Sequence, residues 1–400
     1  MKLLMYDWRA FTKFEVFKEL EAQGIELDLF NRNGSLDIRA KNEDETEEFI
    51  EKIRRILKEH SYDAVFSINF VWEIAKVCNE VGIMYIAWTY DSPALAGDEK
   101  HHYYDTNRIF MFDSKEIKYM KQKSVPGLYH LNLAVNALRM NRFNPSPAQK
   151  LKYNSEISFV GQLYDVGFND MLAAFNEYAQ GFLKAVLDMQ MKIYGQNIIK
   201  ELITGEIVGF ASDELLNEKI KKYNKEILDS DSDIFSVGNF RQFLHQAVAN
   251  RERVMLLSLL SKHHQVTLYS PDKSEFFENI RYGGVVDYMK EMPYVFKCSK
   301  INLNITMRSI ESGIPQRCID VMGCHSFLLT NYQEDLFEEF KEGKSVVTYR
   351  SLEEAVDKAD FYLRHDTLRN KIADNAYKIV KNNFSYRSQL SKIWKITGLK

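Results

Sequence analysis

Short apolar runs alternate with amphipathic helical patterns along the first 135 residues of the chain. Between these runs the apolar residues recur at helical spacing, as in Phe14, Phe17 and Leu20, and Gly24 follows where that helix would end. Strands separated by helices in this way predict a parallel sheet with helices on both faces. The runs that predict strands are KLLMY (2–6), LDLF (27–30), DAVFSIN (63–69), MYIAWTY (84–90), RIFMFD (108–113) and GLYHLNL (127–133).

The alternating pattern is interrupted near residue 136 and then begins again. The stretch 136–154 has no clear periodicity and holds two of the seven prolines, which is typical of a linker. Further strands are predicted at 156–162, 265–270, 300–306, 326–331 and 345–349. The predicted parts are a first Rossmann-like domain (1–136), a linker (137–154), a second Rossmann-like domain (155–380) with a helical insertion at about 168–263, and a C-terminal helix (381–400) packing back towards the first domain.

Composition agrees with a two-domain globular protein and narrows its class. The chain has 400 residues, of which 45% are hydrophobic and 27% charged, and its net charge of −3 gives no basic field for nucleic acid. No apolar run approaches the roughly 20 residues that span a bilayer, and Asp7 comes too early for a signal peptide. Four cysteines without a CxxC pair predict reduced thiols in a cytoplasmic protein.

The most informative stretch for chemistry is 300–331, which predicts a strand, a loop and a helix that starts at Pro315. A helix N-terminus after a parallel strand can bind an anion, and Arg308 and Arg317 add two cations suited to phosphate. Asp320, one turn further on, could accept hydrogen bonds from the two hydroxyls of a ribose. The alternative is an ordinary surface network in which the arginines pair with Glu311 and Asp320.

Other candidate residues also follow predicted strands. Gly161 ends a strand and could let a ligand approach the backbone, although most such glycines only make turns. Asp91 ends the fourth strand, where open α/β sheets place ligands, and is a candidate general base. The alternative is an Asp-Ser-Pro turn that merely stops the strand. His102 is a second candidate for the catalytic group. No GxGxxG sequence or P-loop follows any strand, which disfavours dinucleotide oxidoreductases and NTPases.

The stretch around the predicted helix resembles the donor-nucleotide motif of group 1 glycosyltransferases, in particular their CgeB-like (spore maturation protein) branch. That branch has the pattern IPxRxxDxxGCGGFxLTNY, and this chain has His325 and Ser326 where the branch usually has Gly-Gly. The resemblance covers nearly the whole chain and is most specific at 281–387. The matching residues are Ile314, Pro315, Arg317, Asp320, Gly323, Cys324, Phe327, Leu329, Thr330, Asn331 and Tyr332.

The resemblance implies a GT-B fold, in which two Rossmann-like domains with parallel sheets face each other across a cleft. It implies a nucleotide-sugar donor, most simply a UDP-sugar, and a hydroxyl acceptor on a protein or a cell-surface glycan. No acidic metal motif stands out, DSDSD (229–233) lying in a polar stretch, so we expect no metal and no resident cofactor. The expected catalytic residues are Asp91 and His102, and the expected donor site is Gly161, Arg308, Ser309, Gly313, Ile314, Pro315, Arg317 and Asp320.

Two other functions share these features. A nucleotide-sugar epimerase can have the same two-domain fold, and a non-catalytic sugar-nucleotide-binding protein could have kept it. The lysines at 115, 118, 121 and 123 form a basic stripe that could contact an anionic membrane surface, although such a stripe is more often a solvated face. No transmembrane segment and no nucleic-acid partner are expected.

Overall fold

The computed structural model describes residues 1–32, 34, 43–94, 99–209, 213–226 and 237–399. The chain divides into two compact units, each containing one six-stranded parallel sheet. Unit 1 comprises Met1–Asn136, Ser312–Gln316 and Lys381–Lys400, and unit 2 comprises Ala137–Glu311 and Arg317–Val380. Among the described residues, no helix is both long enough and apolar enough to cross a membrane.

Unit 1 is built around a sheet with the strand order β2-β1-β3-β4-β5-β6. Its strands are β1 (Lys2–Tyr6), β2 (Glu26–Phe30), β3 (Ala64–Ile68), β4 (Tyr85–Trp88), β5 (Asn107–Met111) and β6 (Leu128–His130). Its helices are α1 (Lys13–Ala22), α2 (Glu43–Glu59), α3 (Trp72–Val81), a 3₁₀ helix (Glu99–Tyr103), α4 (Ser114–Gln122) and, at the end of the chain, α18 (Tyr386–Thr397). The order of neighbouring strands reverses between β1 and β3.

The apolar pattern explains most of unit 1. Strand β3 is buried along its whole length, as expected for a parallel strand covered on both faces. Helix α2 starts with acidic residues, which suit a helix N-terminus, and buries Phe49, Ile50 and Ile53. Helix α1 differs from its predicted pattern, because it buries Val16 and Leu20 and leaves Phe14 exposed to solvent.

Unit 2 contains a sheet with the order β12-β11-β10-β7-β8-β9. Its strands are β7 (Ser155–Val160), β8 (Val266–Tyr269), β9 (Ile280–Tyr282), β10 (Ser299–Asn304), β11 (Leu328–Asn331) and β12 (Val347–Tyr349). Numbered within this sheet, the order is 3-2-1-4-5-6, which is typical of nucleotide-binding α/β domains. Its point of reversal lies between β7 and β10, where Leu303 pairs with Phe159.

Helices surround this second sheet, and several of them lie between β7 and β8. They are α5 (Ala137–Asn141), α6 (Pro147–Tyr153), α7 (Phe168–Leu172), α8 (Glu177–Lys192), α9 (Ile198–Leu202), α10 (Gly205–Val208), α11 (Asp213–Glu226), α12 (Val237–Ser261), α13 (Met292–Cys298), α14 (Gln316–Gly323), α15 (Leu336–Glu339), α16 (Leu352–Arg364) and α17 (Asp366–Asn383). The stretch expected to be a linker thus contains two short helices, α5 and α6. Helices α7, α8 and α12 share an apolar core that includes Phe175, Leu187 and Phe243.

Candidate functional site

The side chain of Arg253 joins the two strands between which the order of the second sheet reverses. Arg253 lies on α12, and its guanidinium donates to the carbonyl oxygen of Gln162, just after β7. It also donates to the carbonyl oxygen of Ile305, just after β10, at a distance of 2.7 Å. The Cζ atom of this guanidinium lies 4.6 Å from the ring centre of Tyr164. In open α/β sheets the carboxyl ends of the strands beside such a reversal form the ligand crevice. Arg253 therefore fixes the shape of the expected ligand edge.

Arg308 is buried on the loop that follows β10, and its closest charged partner is Glu252. Nη2 of Arg308 lies 2.9 Å from Oε2 of Glu252, and both side chains are under 5% exposed. The guanidinium stacks on Tyr194 at 3.9 Å from the ring centre, and the Tyr194 hydroxyl donates to Glu252 at 3.0 Å. Among the described residues the buried Nε of Arg308 has no hydrogen-bond partner. A buried N–H without a partner is uncommon and points to a missing water or ligand.

Burial and charge shift several pKa values in this cluster. Burial opposes the charge of Arg308, but the neighbouring Glu252 and tyrosines outweigh that cost and hold its pKa above the ordinary value. Burial, together with Glu252, raises the pKa of Tyr194. Burial lowers the pKa of His245 to about 3, helped by nearby cations that include Arg308, so this imidazole is neutral at physiological pH. The positive charge of the cluster thus resides on its arginines.

Arg317 and Asp320 lie one turn apart on α14 and contact each other. Nη1 of Arg317 lies 3.5 Å from Oδ2 of Asp320, whose carboxylate also accepts the Tyr288 hydroxyl at 2.9 Å. Asp320 is 1% exposed, whereas the Arg317 side chain is 26% exposed. The alternative network expected from the sequence is therefore present only in part. Arg317 pairs with Asp320, but Arg308 pairs with Glu252, and Glu311 lies 3.2 Å from Lys200.

The remaining residues of the expected donor site have different surroundings. Gly161 directly follows β7, and its N–H donates to the Tyr269 carbonyl at 3.0 Å. Ser309 is buried in unit 2, whereas Gly313, Ile314 and Pro315 group with unit 1. A Cβ on Gly313 would lie 2.7 Å from the carbonyl oxygen of Phe112, so close packing already requires glycine there. Ile314 is buried, and α14 starts one residue after Pro315.

His325, which replaces a glycine of the resembled motif, has a left-handed backbone with φ of 61°. This conformation favours glycine, because a Cβ is crowded there. The histidine ring stacks on Tyr377 with centres 4.7 Å apart and contacts the Asp374 carboxylate, both on α17. The imidazole is therefore engaged by α17, and the glycine expected at this position is explained by the backbone.

In unit 1, the two residues expected to be catalytic lie near the loop after β3. Asn69 has a φ of 64°, donates to Oδ2 of the exposed Asp91 at 2.6 Å and accepts the Tyr90 N–H at 2.7 Å. His102 is 3% exposed and packs edge-on against Phe70, with ring centres 5.2 Å apart. The structure therefore presents Asp91 at the strand edge and encloses His102 in the interior. The catalytic role of each stays a prediction.

Sequence reasoning missed the residues that organise both strand edges. Glu252, Arg253 and Tyr194 come from the helical insertion, far along the chain from the motif they contact. The one available signal was the charged run Arg251-Glu252-Arg253, directly before the apolar run VMLLSLL (254–260) of α12. Asn69 is the last residue of the predicted strand 63–69. Its position at a strand end was the signal for it.

Metal-ligand geometry is not found in the described part of the chain. No group of three or more His, Cys, Asp or Glu side chains there could hold a metal ion. The acidic stretch 229–233, considered as a metal motif, lies outside the described residues. All four cysteines are free thiols, and Cys78, Cys318 and Cys324 are buried. Metal independence stays a prediction.

Comparison with known proteins gives one family match and several structural ones. Residues 241–395 match the model of the family described as Glycosyl transferase-like. A comparison with curated protein sequences finds no match. The chain is similar in structure to a glycosyltransferase from Rickettsia africae ESF-5, with 12% identity over 99% of this chain and 97% of that one and a TM-score of 0.56.

Two further solved structures are similar over almost their whole length. Sucrose-phosphate synthase from Thermosynechococcus elongatus has 8% identity over 99% of this chain and 98% of that one, with a TM-score of 0.58. Anabaena Alr3699/HepE, solved in complex with UDP-glucose, has 9% identity over 100% and 99%, with a TM-score of 0.55. At such identities the likeness shows the fold alone.

The fold and the family match each bear on the class of the protein. The two parallel sheets and the structural neighbours confirm the predicted GT-B fold with two Rossmann-like domains. The family match supports the predicted class of enzyme, and the matched residues 241–395 include segments of both units. The match contains Glu252, Arg253, Arg308, Arg317 and Asp320. The CgeB-like assignment stays a prediction.

Proposed function

We propose that the protein transfers a sugar from a UDP-sugar to a hydroxyl group of a protein or a cell-surface glycan, without a metal ion, as a CgeB-like glycosyltransferase. The observation that carries this proposal is the cationic strand edge of unit 2. Arg253 and Arg308 are buried at the reversal of strand order, within the residues that match the glycosyltransferase-like family model, and they share the nearby carboxylate of Glu252. Two guanidiniums against one carboxylate give this cluster a net charge of +1.

A diphosphate suits such an edge for electrostatic reasons. Buried cations act on a ligand more strongly than exposed ones, because little water screens them. Arg317 adds a third, partly exposed cation at the start of α14, where free backbone N–H groups also favour an anion. The unpartnered Nε of Arg308 offers one more donor. The Anabaena protein was solved with UDP-glucose bound, which supports UDP as the nucleotide of the donor.

The reaction needs a leaving group, a nucleophile and a proton acceptor. The bond between the anomeric carbon and the diphosphate oxygen breaks, and its electron pair stays with UDP. Arg308, Arg317 and the N–H groups of α14 stabilise the charge that grows on this oxygen. The acceptor hydroxyl oxygen bonds to the anomeric carbon, and Asp91 takes its proton. Asn69, which donates to Oδ2 of Asp91, holds that carboxylate in position.

The proposal is tested by incubating the protein with a panel of nucleotide-sugars and following free nucleoside diphosphate and the identity of the sugar. Slow release of UDP from a UDP-sugar supports a transferase. An epimerised donor would identify an epimerase, and tight binding without any turnover would identify a binding protein. Both outcomes contradict transfer.

A parallel reaction with EDTA tests the metal requirement. We expect the rate of UDP release to be unchanged, because arginines supply the positive charge that a metal would otherwise provide. A complete loss that manganese or magnesium restores would overturn the metal-independent mechanism. The variant Arg364→Ala, which removes an exposed arginine of α16 outside the cationic edge, is the control for losing an arginine. It should release UDP at the natural rate with and without EDTA.

A further inference from the structure

The strand edge of unit 1 carries aromatic side chains at the point where its strand order reverses, between β1 and β3. Trp8 follows β1 and donates its indole N–H to the carbonyl of Ile68, the last residue of β3, at 2.8 Å. This bond fixes the orientation of the half-buried indole. In an open α/β sheet, such a reversal is where a ligand crevice is expected.

Two phenylalanines next to Trp8 are exposed. Phe11 is 51% exposed and Phe14, in the first turn of α1, is 60% exposed. The apolar spacing of α1 predicted that Phe14 would be buried, but Val16 and Leu20 occupy the core side of this helix. Single exposed apolar residues are common, whereas neighbouring exposed aromatic rings beside a ligand edge point to a binding surface.

Polar groups lie directly beside these rings. Phe11 meets Tyr90 edge-on, with ring centres 6.3 Å apart at 89°, and Tyr90 precedes Asp91. Asp91 in turn accepts the hydrogen bond from the Asn69 side chain. The ammonium of Lys13 lies 2.8 Å from Asp7 and 5.6 Å from the ring centre of Phe14. The surface thus combines aromatic faces with carboxylate, amide and ammonium groups.

We propose that this aromatic surface, formed by the exposed Phe11 and Phe14 and the half-buried Trp8 and backed by the buried Tyr90, binds a carbohydrate, so that the acceptor is a glycan. A sugar ring has one face of weakly positive C–H groups, which match the negative face of an aromatic ring. Its hydroxyl edge both donates and accepts hydrogen bonds, which suits Asp7, Asp91 and Asn69.

A lipid surface fits these groups less well. It would cover the rings but would remove water from the carboxylates of Asp7 and Asp91 without replacing their hydrogen bonds, which is costly. A glycan can therefore cover the aromatic rings and also form hydrogen bonds with the polar groups beside them. This inference rests on the proposed function, because it identifies the acceptor whose hydroxyl would meet Asp91.

The test measures binding directly, by titration calorimetry, with soluble tetrasaccharides as probes: maltotetraose, cellotetraose, α-1,6-mannotetraose and tetra-N-acetylchitotetraose. Binding is measured with and without UDP. We expect at least one probe to bind the natural protein. The double variant Phe11→Ser/Phe14→Ser should weaken that binding about tenfold or more, as expected when aromatic contacts are lost from a binding surface. Phe14→Trp, which keeps an aromatic face, should retain it.

The matched control is Phe276→Ser, which removes a similarly exposed phenylalanine of unit 2. Binding should be unchanged in this variant, and the melting temperature of each variant shows whether it folds. The inference is overturned if no tetrasaccharide binds, if Phe276→Ser loses binding equally, or if the double variant binds as well as the natural protein. Vesicles of phosphatidylcholine with phosphatidylglycerol are a further probe, and binding to them that is lost only in the double variant would identify a membrane surface instead.

UDP titration of the same preparations separates this inference from the proposed function. If UDP binds and no tetrasaccharide does, the carbohydrate inference fails alone. If a tetrasaccharide binds through the two phenylalanines but no nucleotide-sugar binds or reacts, the surface is a glycan site and the transferase proposal fails.

Discussion

In both units one side chain joins the two strands at which the strand order reverses, but the two side chains are of opposite character. In unit 1 the indole of Trp8, which follows β1, donates to the carbonyl of Ile68 at the end of β3. In unit 2 the guanidinium of Arg253 donates to carbonyls beyond both β7 and β10. Both side chains supply a hydrogen-bond donor to backbone carbonyl groups at a strand end. Only Arg253 leaves a permanent positive charge there.

This difference separates the ligands that each edge can hold. The edge of unit 2 is buried and cationic, with Arg253 and Arg308 beside the carboxylate of Glu252. The edge of unit 1 exposes Phe11 and the carboxylate of Asp91. A diphosphate needs fixed cations, whereas a sugar hydroxyl needs a proton acceptor and a face to rest on. We therefore propose that the two sheets serve different chemical tasks, and variants of each edge test this division.

The largest expected effect follows from removing the buried cation of unit 2. Arg308→Met removes the guanidinium that lies 2.9 Å from Glu252, in a site that is almost closed to water, and leaves only the more distant charge of Arg253. Removing one partner of a buried ion pair costs about 3–5 kcal/mol in the free energy of unfolding. Urea unfolding measures this loss, and UDP affinity should fall together with stability.

A double variant separates stability from binding. Arg308→Met with Glu252→Gln removes the unpaired charge as well, so we expect a large part of the lost stability to return. UDP affinity should stay low, because the cation that faces the diphosphate is still missing. Recovery of UDP affinity in the double variant would show that Arg308 only holds the fold together.

The next effect concerns unit 1. Asp91→Asn should lower the rate of sugar transfer by about 10²–10⁴-fold, the usual contribution of a positioned general base, while UDP affinity stays the same. Asp105→Asn, which changes another exposed aspartate of unit 1, is the matched control and should keep the full rate. The turn interpretation expects a lower melting temperature with nearly full activity per folded molecule. An Asp91→Asn protein that is stable and fully active would remove Asp91 from the mechanism.

The comparison of the two edges also shows what the sequence could predict. Of the twelve strands among the described residues, eleven followed from short apolar runs, because parallel strands covered by helices bury almost every side chain. The three-residue edge strand β9 was not predicted. Arg308, Arg317 and Asp320 were singled out because they lie within 13 residues of one another, in and just before a recognisable motif. The motif did not reveal that Arg308 is buried, since its partners Glu252 and Tyr194 belong to an insertion more than 50 residues away.

The exposed phenylalanine of α1 shows a second limit. Spacing alone placed Phe14 on the same helix face as Leu20, but Val16 and Leu20 face the core, and Phe14 faces solvent. A short helix with several apolar residues allows more than one buried face, and packing against the sheet selects one of them. His102 shows the opposite case, in which a polar side chain expected at the site is buried in the interior of unit 1.

A moderate effect is expected for the partly exposed cation of unit 2. Arg317→Ala should weaken UDP binding by about 1.5–3 kcal/mol, the usual value of a hydrogen bond to a charged group, with a smaller change in the free energy of unfolding. Arg364→Ala removes an exposed arginine elsewhere in unit 2 and should leave UDP affinity unchanged. An unaltered dissociation constant for Arg317→Ala would exclude this residue from the phosphate site.

The smallest effect concerns one pair of hydroxyl groups. Asp320 accepts the Tyr288 hydroxyl and contacts Arg317, and the proposed donor site adds a ribose hydroxyl as a further partner of this carboxylate. Asp320→Asn should therefore weaken binding of UDP more than binding of 2′-deoxy-UDP, by a ratio of about tenfold, because only UDP has the 2′-hydroxyl. Tyr288→Phe is the control, since it removes the tyrosine contact and keeps the carboxylate, and it should affect both nucleotides equally. Equal losses in Asp320→Asn would assign the carboxylate to holding Arg317 and Tyr288, and the division between the two edges would then rest on the arginines of unit 2 alone.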